Sequence, residues 1–169
     1  RKVYYATTRE RDANLQRIDY DNRPADTLSM GLALVQFGNR DLSWDALARV
    51  SAQETREAPV ELIIAGVVEG GLVDVDSPLG EAAAAGRTGW LLDDFDDAIA
   101  DARDKDVLIF VHGAKVNFYN ACAYAAQLDH FTGRDMTSVA FSWPTRQHIV
   151  SYGLGGDVAR AYRSGPALA

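Results

Sequence analysis

Five consecutive β-formers, Val107-Leu108-Ile109-Phe110-Val111, stop at the pair His112-Gly113, and this run limits the folds open to the chain more than any other stretch. Without polar alternation it predicts a strand buried on both faces, the situation of a central parallel strand flanked by helices. The neighbouring segments agree. Phe95, Ile99 and Ala102 share one helical face, and Asp93 and Asp94 complement the start of a helix dipole, so a helix is expected over residues 93–105. Phe118, Ala121, Cys122, Ala125, Leu128 and Phe131 fall at helical spacing, with Gly133 as the C-cap. Residues 139–141 read as a short buried strand closed by Trp143-Pro144. Helix, strand, helix, strand in this order predicts a doubly wound parallel sheet.

The first half of the chain gives weaker signals. Val3-Tyr4-Tyr5-Ala6-Thr7-Thr8 is β-rich and ends in the charged run from Arg9 to Asp12, which reads as a strand followed by a solvated loop. Residues 9–27 look irregular. Strands are expected over residues 30–37, before the turn pair Gly38-Asn39, and over the apolar run 60–68, both extending the sheet on its N-terminal side. Residues 69–89, rich in Gly and Ala, read as a long connection carrying a short Ala helix at 81–85.

Composition excludes several functional classes. A chain of 169 residues fits one domain with a substantial core. Its formal charge of -7, with Lys and Arg scattered singly, argues against nucleic acid as a partner. Cys122 is the sole cysteine, so neither an internal disulfide nor a thiolate cluster is available. No apolar run approaches the roughly 20 residues needed to span a bilayer. The sequence starts at Arg1-Lys2 without an initiator Met, which leaves room for an upstream leader that has been removed and leaves the compartment open between cytoplasmic and exported. No residue pattern calls for a cofactor or a metal.

The motif Leu108-Ile109-Phe110-Val111-His112-Gly113, followed by Asn117-Phe118, an Ala-rich helix and Phe141-Ser142-Trp143-Pro144, resembles an uncharacterised bacterial group of α/β-hydrolases, esterase/lipase-like proteins of unknown function. The opening Val3-Tyr4-Tyr5-Ala6-Thr7-Thr8-Arg9 is similar to that group's N-terminal strand. The resemblance implies the N-terminal part of an α/β-hydrolase three-layer sandwich, with a mostly parallel central sheet and antiparallel N-terminal strands. Residues 1–169 would then be a single incomplete domain, with N-terminal strands and long connections in 1–90 and the helix-strand-helix-strand-helix core in 91–169.

What the resemblance implies for chemistry centres on His112, Gly113 and Ala114. In α/β-hydrolases the loop after this strand supplies a backbone N–H to the oxyanion hole, and by position the donor is Ala114 N–H. Gly113 lets the backbone approach the substrate, and His112 is structural, bonded to neighbouring backbone to shape the turn. Members of the group usually carry an aromatic residue and an Asn after His-Gly, where this chain has Ala114 and Lys115. The nucleophile of such enzymes sits on a Gly-x-Ser-x-Gly elbow, with the acid and the His after it. No Gly-x-Ser-x-Gly occurs in this sequence. By the resemblance, all three belong to polypeptide beyond this chain, and a fragment or one piece of a cleaved hydrolase is expected.

Other chemistry-bearing residues have plainer readings. Ser142 reads as a packed strand terminus and His130 as a surface or dipole-complementing residue, while His148 has no paired ligand nearby in sequence. Asp93, Asp94, Asp96 and Asp97 read as a solvated helix face, Cys122 as a small core residue, and Gly153, Gly155 and Gly156 as a flexible connection. Two functions follow. One is the oxyanion half of a serine hydrolase acting on an ester of a small or lipid-like acyl group; the other is a non-catalytic scaffold or interaction domain. The strand edge beyond residues 139–141 is expected to be open, and it requires the missing half or self-association to cover it.

Overall fold

The computed structural model describes residues 1–13, 16–39, 42–55, 59–74, 88–146, 150 and 153–168. The expected Ala helix at 81–85 and His148 lie outside them. Strands β1 (Lys2–Arg11), β2 (Tyr20–Phe37) and β3 (Leu62–Asp74) are followed by β4 (Val107–Val111) and β5 (Thr137–Ser142). Helices α1 (Trp44–Ser51), α2 (Gly89–Asp101), α3 (Phe118–Phe131) and α4 (Gly156–Ser164) complete the elements, with a 3₁₀ turn over Gly165–Ala167.

The described strands form one mixed sheet in the order β3-β2-β1-β5-β4, with β1, β5 and β4 parallel and β1, β2 and β3 antiparallel. On one face α3 packs Phe118, Cys122, Ala125 and Ala126 against Val3, Tyr5, Ala33, Val35 and Ala140. The small residues on this side of α3 let the helix approach the sheet closely. On the other face Leu91 of α2 joins Tyr4, Met30 and Val73, with Phe95 and Ala98 behind it. The expected mixed α/β architecture in three layers is therefore present, with antiparallel strands on the N-terminal side, and it is consistent with an α/β-hydrolase sheet.

The irregular segment expected over residues 9–27 is in large part strand: β1 runs to Arg11 and β2 begins at Tyr20. The pattern was hidden because β1 is central and buries both faces, so it shows no alternation. Its register against β2 also shifts twice, between Thr7 and Arg9 and between Arg9 and Arg11. Likewise Glu69, Gly70 and Gly71 do not open a connection but continue β3. A Cβ on Gly70 would lie 2.6 Å from Cδ2 of Leu91, so the glycine is the seat on which α2 docks. That helix starts four residues earlier than expected, because Leu91 extends its buried apolar side, and it ends at Asp101 rather than Lys105, with Ala102 already extended.

The reading of β4 as buried on both faces is corrected. Val107, Ile109 and Val111 are exposed, Ile109 by 52%. Each pairs in register with Thr137, Val139 or Phe141 and so points to the α2 side of the sheet. Helix α2 covers β1 and β5 there and leaves β4 bare. The expected open edge also moves. The crossover from β4 through α3 returns inward, placing β5 between β1 and β4 with both of its edges paired; among the described residues the unpaired edges of the sheet are those of β3 and β4, so the open edge on the parallel side belongs to β4.

Candidate active site

The parallel strands β1, β5 and β4 end together, and ligands of open α/β sheets bind at such carboxyl ends. Here that end gathers Arg9, Ser142-Trp143 and His112-Gly113. His112 is 3% exposed. Its Nδ1 lies 2.7 Å from the carbonyl of Gly113, which can only accept, so Nδ1 carries the proton. Its Nε2 accepts the backbone N–H of Trp143 at 3.1 Å, and the Trp143 indole Nε1–H donates back to the carbonyl of His112 at 2.7 Å. The two rings stack at 5.3 Å with planes 8° apart. Burial holds the His112 pKa down to about 4, and the nearby Arg9 charge acts in the same direction. At neutral pH the ring is an uncharged brace.

This brace sets the direction of a backbone donor. All peptide bonds of the described chain are trans, so the C=O of residue 113 and the N–H of residue 114 point in opposite directions. With the Gly113 carbonyl bonded to His112, the Ala114 N–H faces away from the histidine, and among the described residues it has no hydrogen-bond partner. Lys115 follows with φ 63, a left-handed conformation that costs a non-glycine residue about 1 kcal/mol or more. It is held by its N–H donating to Thr145 Oγ1 at 3.1 Å. Thr145 Oγ1 in turn donates to the buried carboxylate of Asp157 at 2.7 Å, and Asp157 also accepts the N–H of Arg146 at 2.9 Å. The loop and α4 are thereby fixed to each other.

Between them lies a cleft of about 420 Å³ lined by Gly113, Ala114, Trp143, Asp157, Val158, Ala161, Tyr162 and Gly165. Its walls are mainly apolar, and the Ala114 N–H beside it is without a partner among the described residues. A Cβ on Gly113 would meet no atom within 4 Å, so the packing of the described residues does not demand glycine there.

Of the described residues singled out from sequence as candidates for chemistry, His112, Gly113, Ala114 and Ser142 come together at this end of the sheet, whereas Cys122, His130 and the aspartates of α2 do not. Ser142 is fully buried. Its Oγ accepts Nε–H of Arg9 at 2.8 Å and stands 3.5 Å from His112 Nε2, so it is a sealed strand terminus and not an accessible nucleophile. Cys122 sits inside the core, where burial pushes its thiol pKa up. The reading of His130 as dipole-complementing is corrected. It bonds Ser51 through Nε2 at 2.9 Å and packs on Phe37, and desolvation lowers its pKa, which disfavours a cation. Asp93, Asp96 and Asp97 are exposed as expected, whereas Asp94 accepts from Tyr4 Oη at 2.6 Å and pairs with Lys2. Gly155 and Gly156 do not form a flexible connection: Gly155, at φ 78, caps α4 and Gly156 is its first residue.

Three residues of the site escape sequence reading. Arg9 opens a charged run that reads as solvated, yet it is fully buried and bonded to β2, β5 and the His112 loop. Thr145 and Asp157 carry no motif. The one available signal is the position of Asp157 in the first turn of a helix, which is where a carboxylate caps free N–H groups.

Residues 91–168 match the model of a family described as alpha/beta hydrolase of unknown function (DUF900). The match takes in most of α2, then β4, the His-Gly loop, α3, β5 and α4, and so includes every residue that lines the cleft. Over this stretch the chain is similar to the alpha/beta hydrolases. No curated protein and no solved structure matches the chain.

Proposed function

We propose that this chain is the oxyanion-hole portion of a serine hydrolase of the carboxylesterase or lipase type, with Ala114 N–H as the donor. The reading is carried by the Ala114 N–H, aimed away from the braced Gly113 carbonyl and, among the described residues, unpartnered beside an apolar cleft. Gly113 adds support, because a glycine with no packing reason leaves the backbone bare where a carbonyl substrate would approach. The apolar walls suit the acyl or alkyl part of an ester. A preorganised N–H in a site shielded from water stabilises the negative charge that develops on the carbonyl oxygen when a tetrahedral intermediate forms.

The nucleophile, acid and base would come from another stretch of polypeptide. The accessible place for it is the unpaired edge of β4, where Val107, Ile109 and Val111 offer an apolar surface for a further strand and the helix above it. The partner is the remaining part of the hydrolase domain, or failing that a second copy of this chain.

The test is labelling of natively purified material by a fluorophosphonate, read together with intact mass. A co-purifying polypeptide that takes the label, at a rate lowered about a hundredfold to a thousandfold by Ala114→Pro, is expected. Labelling on this chain itself would overturn the placement of the nucleophile. If nothing in the preparation labels, the scaffold reading replaces the enzymatic one.

A further inference from the structure

The oxyanion reading rests on a loop that stays in one conformation, and building on that reading we propose that Arg9 is its positioning residue, the group that clamps both sides of Ala114. The side chain is completely buried at the end of β1. None of the ion pairs among the described residues includes it. Asp19 and Asp21 favour its charge only from beyond ion-pair distance, and a guanidinium taken out of water without a carboxylate in contact is an expensive way to fill space that an apolar side chain would fill at lower cost. Its contacts explain what the charge achieves.

Each nitrogen has an assignment. Nε donates to Ser142 Oγ at 2.8 Å. One terminal nitrogen donates to Asn22 Oδ1 at 2.5 Å and to the Asp21 carbonyl at 3.2 Å. The other donates to the Val116 carbonyl at 2.6 Å and faces His112 Nε2 at 3.4 Å. His112 and Val116 each stand two residues from Ala114, one on either side. The rigid planar fork therefore ties the entry and the exit of the loop to the end of β5 and the start of β2, which a flexible ammonium could not do with one geometry. The positive charge on the lone-pair side of His112 also opposes a second proton on that ring. The Nδ1–H then stays on the Gly113 carbonyl, and the Ala114 N–H keeps its direction. Burial lowers the Arg9 pKa to about 10, so the charge persists at neutral pH.

The experiment is NMR of the ¹⁵N-labelled 169-residue chain carrying Arg9→Met, with Val3→Ala as a comparison that disturbs the same strand at its far end. Long-range ¹⁵N spectra report the His112 tautomer. Hydrogen exchange reports the Trp143 backbone N–H, the Trp143 indole N–H and the Lys115 N–H, all bonded within the loop. Arg9→Met is expected to give a mixture of His112 tautomers and to speed exchange at these three sites about tenfold or more relative to α3 amides. Val3→Ala is expected to move loop and helix together and to leave the tautomer alone. A single unchanged tautomer in Arg9→Met, or loop exchange that merely follows α3, overturns the proposal. Should Arg9→Met fail to fold, the wild-type Nε–H of Arg9 decides: exchange about tenfold or more slower than that of exposed Arg23 supports the clamp, and equal exchange overturns it. None of these readouts depends on a nucleophile, so the clamp can fail while the oxyanion reading stands, and the reverse holds for fluorophosphonate labelling.

Discussion

Because His112 is neutral and buried in the folded chain, acid should weaken the fold in a defined window. The ring has an ordinary pKa of 6.5 once unfolded and about 4 in the folded chain. Between those values the unfolded state binds a proton that the folded state refuses, so stability falls as pH drops from 6.5 to 4 and is unaffected by this group on either side. At about 1.4 kcal/mol per pH unit the gap corresponds to a loss of about 3 kcal/mol, a large part of what holds a small domain together. Carboxylates also protonate near the lower limit, and a variant without the titrating ring subtracts their share. His112→Asn should be less stable than wild type at pH 7.5, since the Trp143 N–H loses its acceptor and the ring stack disappears. The difference between wild type and variant should then close by about 3 kcal/mol between pH 7 and pH 4. Urea unfolding followed by far-ultraviolet circular dichroism at several pH values measures it. A difference that stays constant with pH would refute the argument, because it would mean that His112 titrates in the folded chain as it does in the unfolded one.

Four further outcomes are expected. Gly113→Ala should change thermal stability by no more than about 0.5 kcal/mol, since its Cβ meets nothing, yet it should slow fluorophosphonate labelling of the native material by crowding the cleft. Gly70→Val should cost about 1–3 kcal/mol in chemical unfolding, because its side chain would be driven into Leu91 and force α2 off the sheet. Asp157→Ala leaves the Arg146 N–H and the Thr145 hydroxyl without their acceptor and should cost about 1–3 kcal/mol. Hydrogen exchange of the Lys115 N–H should rise with it. Ile109→Lys puts a charge on the bare strand face and should shift any assembly seen by sedimentation velocity toward the single chain, whereas an unchanged profile would place the partner elsewhere.

The helix Phe118–Phe131 and the core of β5 were legible because their signal is local: apolar residues at helical spacing face one sheet, and Asn117 caps the helix by accepting the Asn120 N–H. The His112 brace was legible only through the resemblance to α/β-hydrolases, which implied a histidine bonded to neighbouring backbone; no local pattern in the sequence named its partners. Arg9 was not legible. Its burial depends on acceptors at Asp21, Asn22, Val116 and Ser142, which are brought together only by the register of β1 between β2 and β5. Up to that point a charged run at the end of a strand looks solvated. The apolar run of β4 misled in the opposite sense. Apolar composition records surface that a strand is suited to bury, and it carries no information about whether α2 reaches across to cover it. The extension of β3 through Gly70 and Gly71 escaped for a third reason: glycine weakens a strand intrinsically, and here packing against Leu91 outweighs that tendency.

The way the loop is held has a consequence for how such a site can diversify. The orientation of the donor at position 114 is fixed by the carbonyl of residue 113 and by contacts on either side, and the methyl group of Ala114 takes no part in any of them. Under the function proposed above, what the cleft admits and how charge is stabilised would be set by separate atoms of one residue. A larger side chain at 114 would narrow or reshape the cleft wall while the N–H stayed where it is, so this position would be a natural dial for changing what the cleft admits.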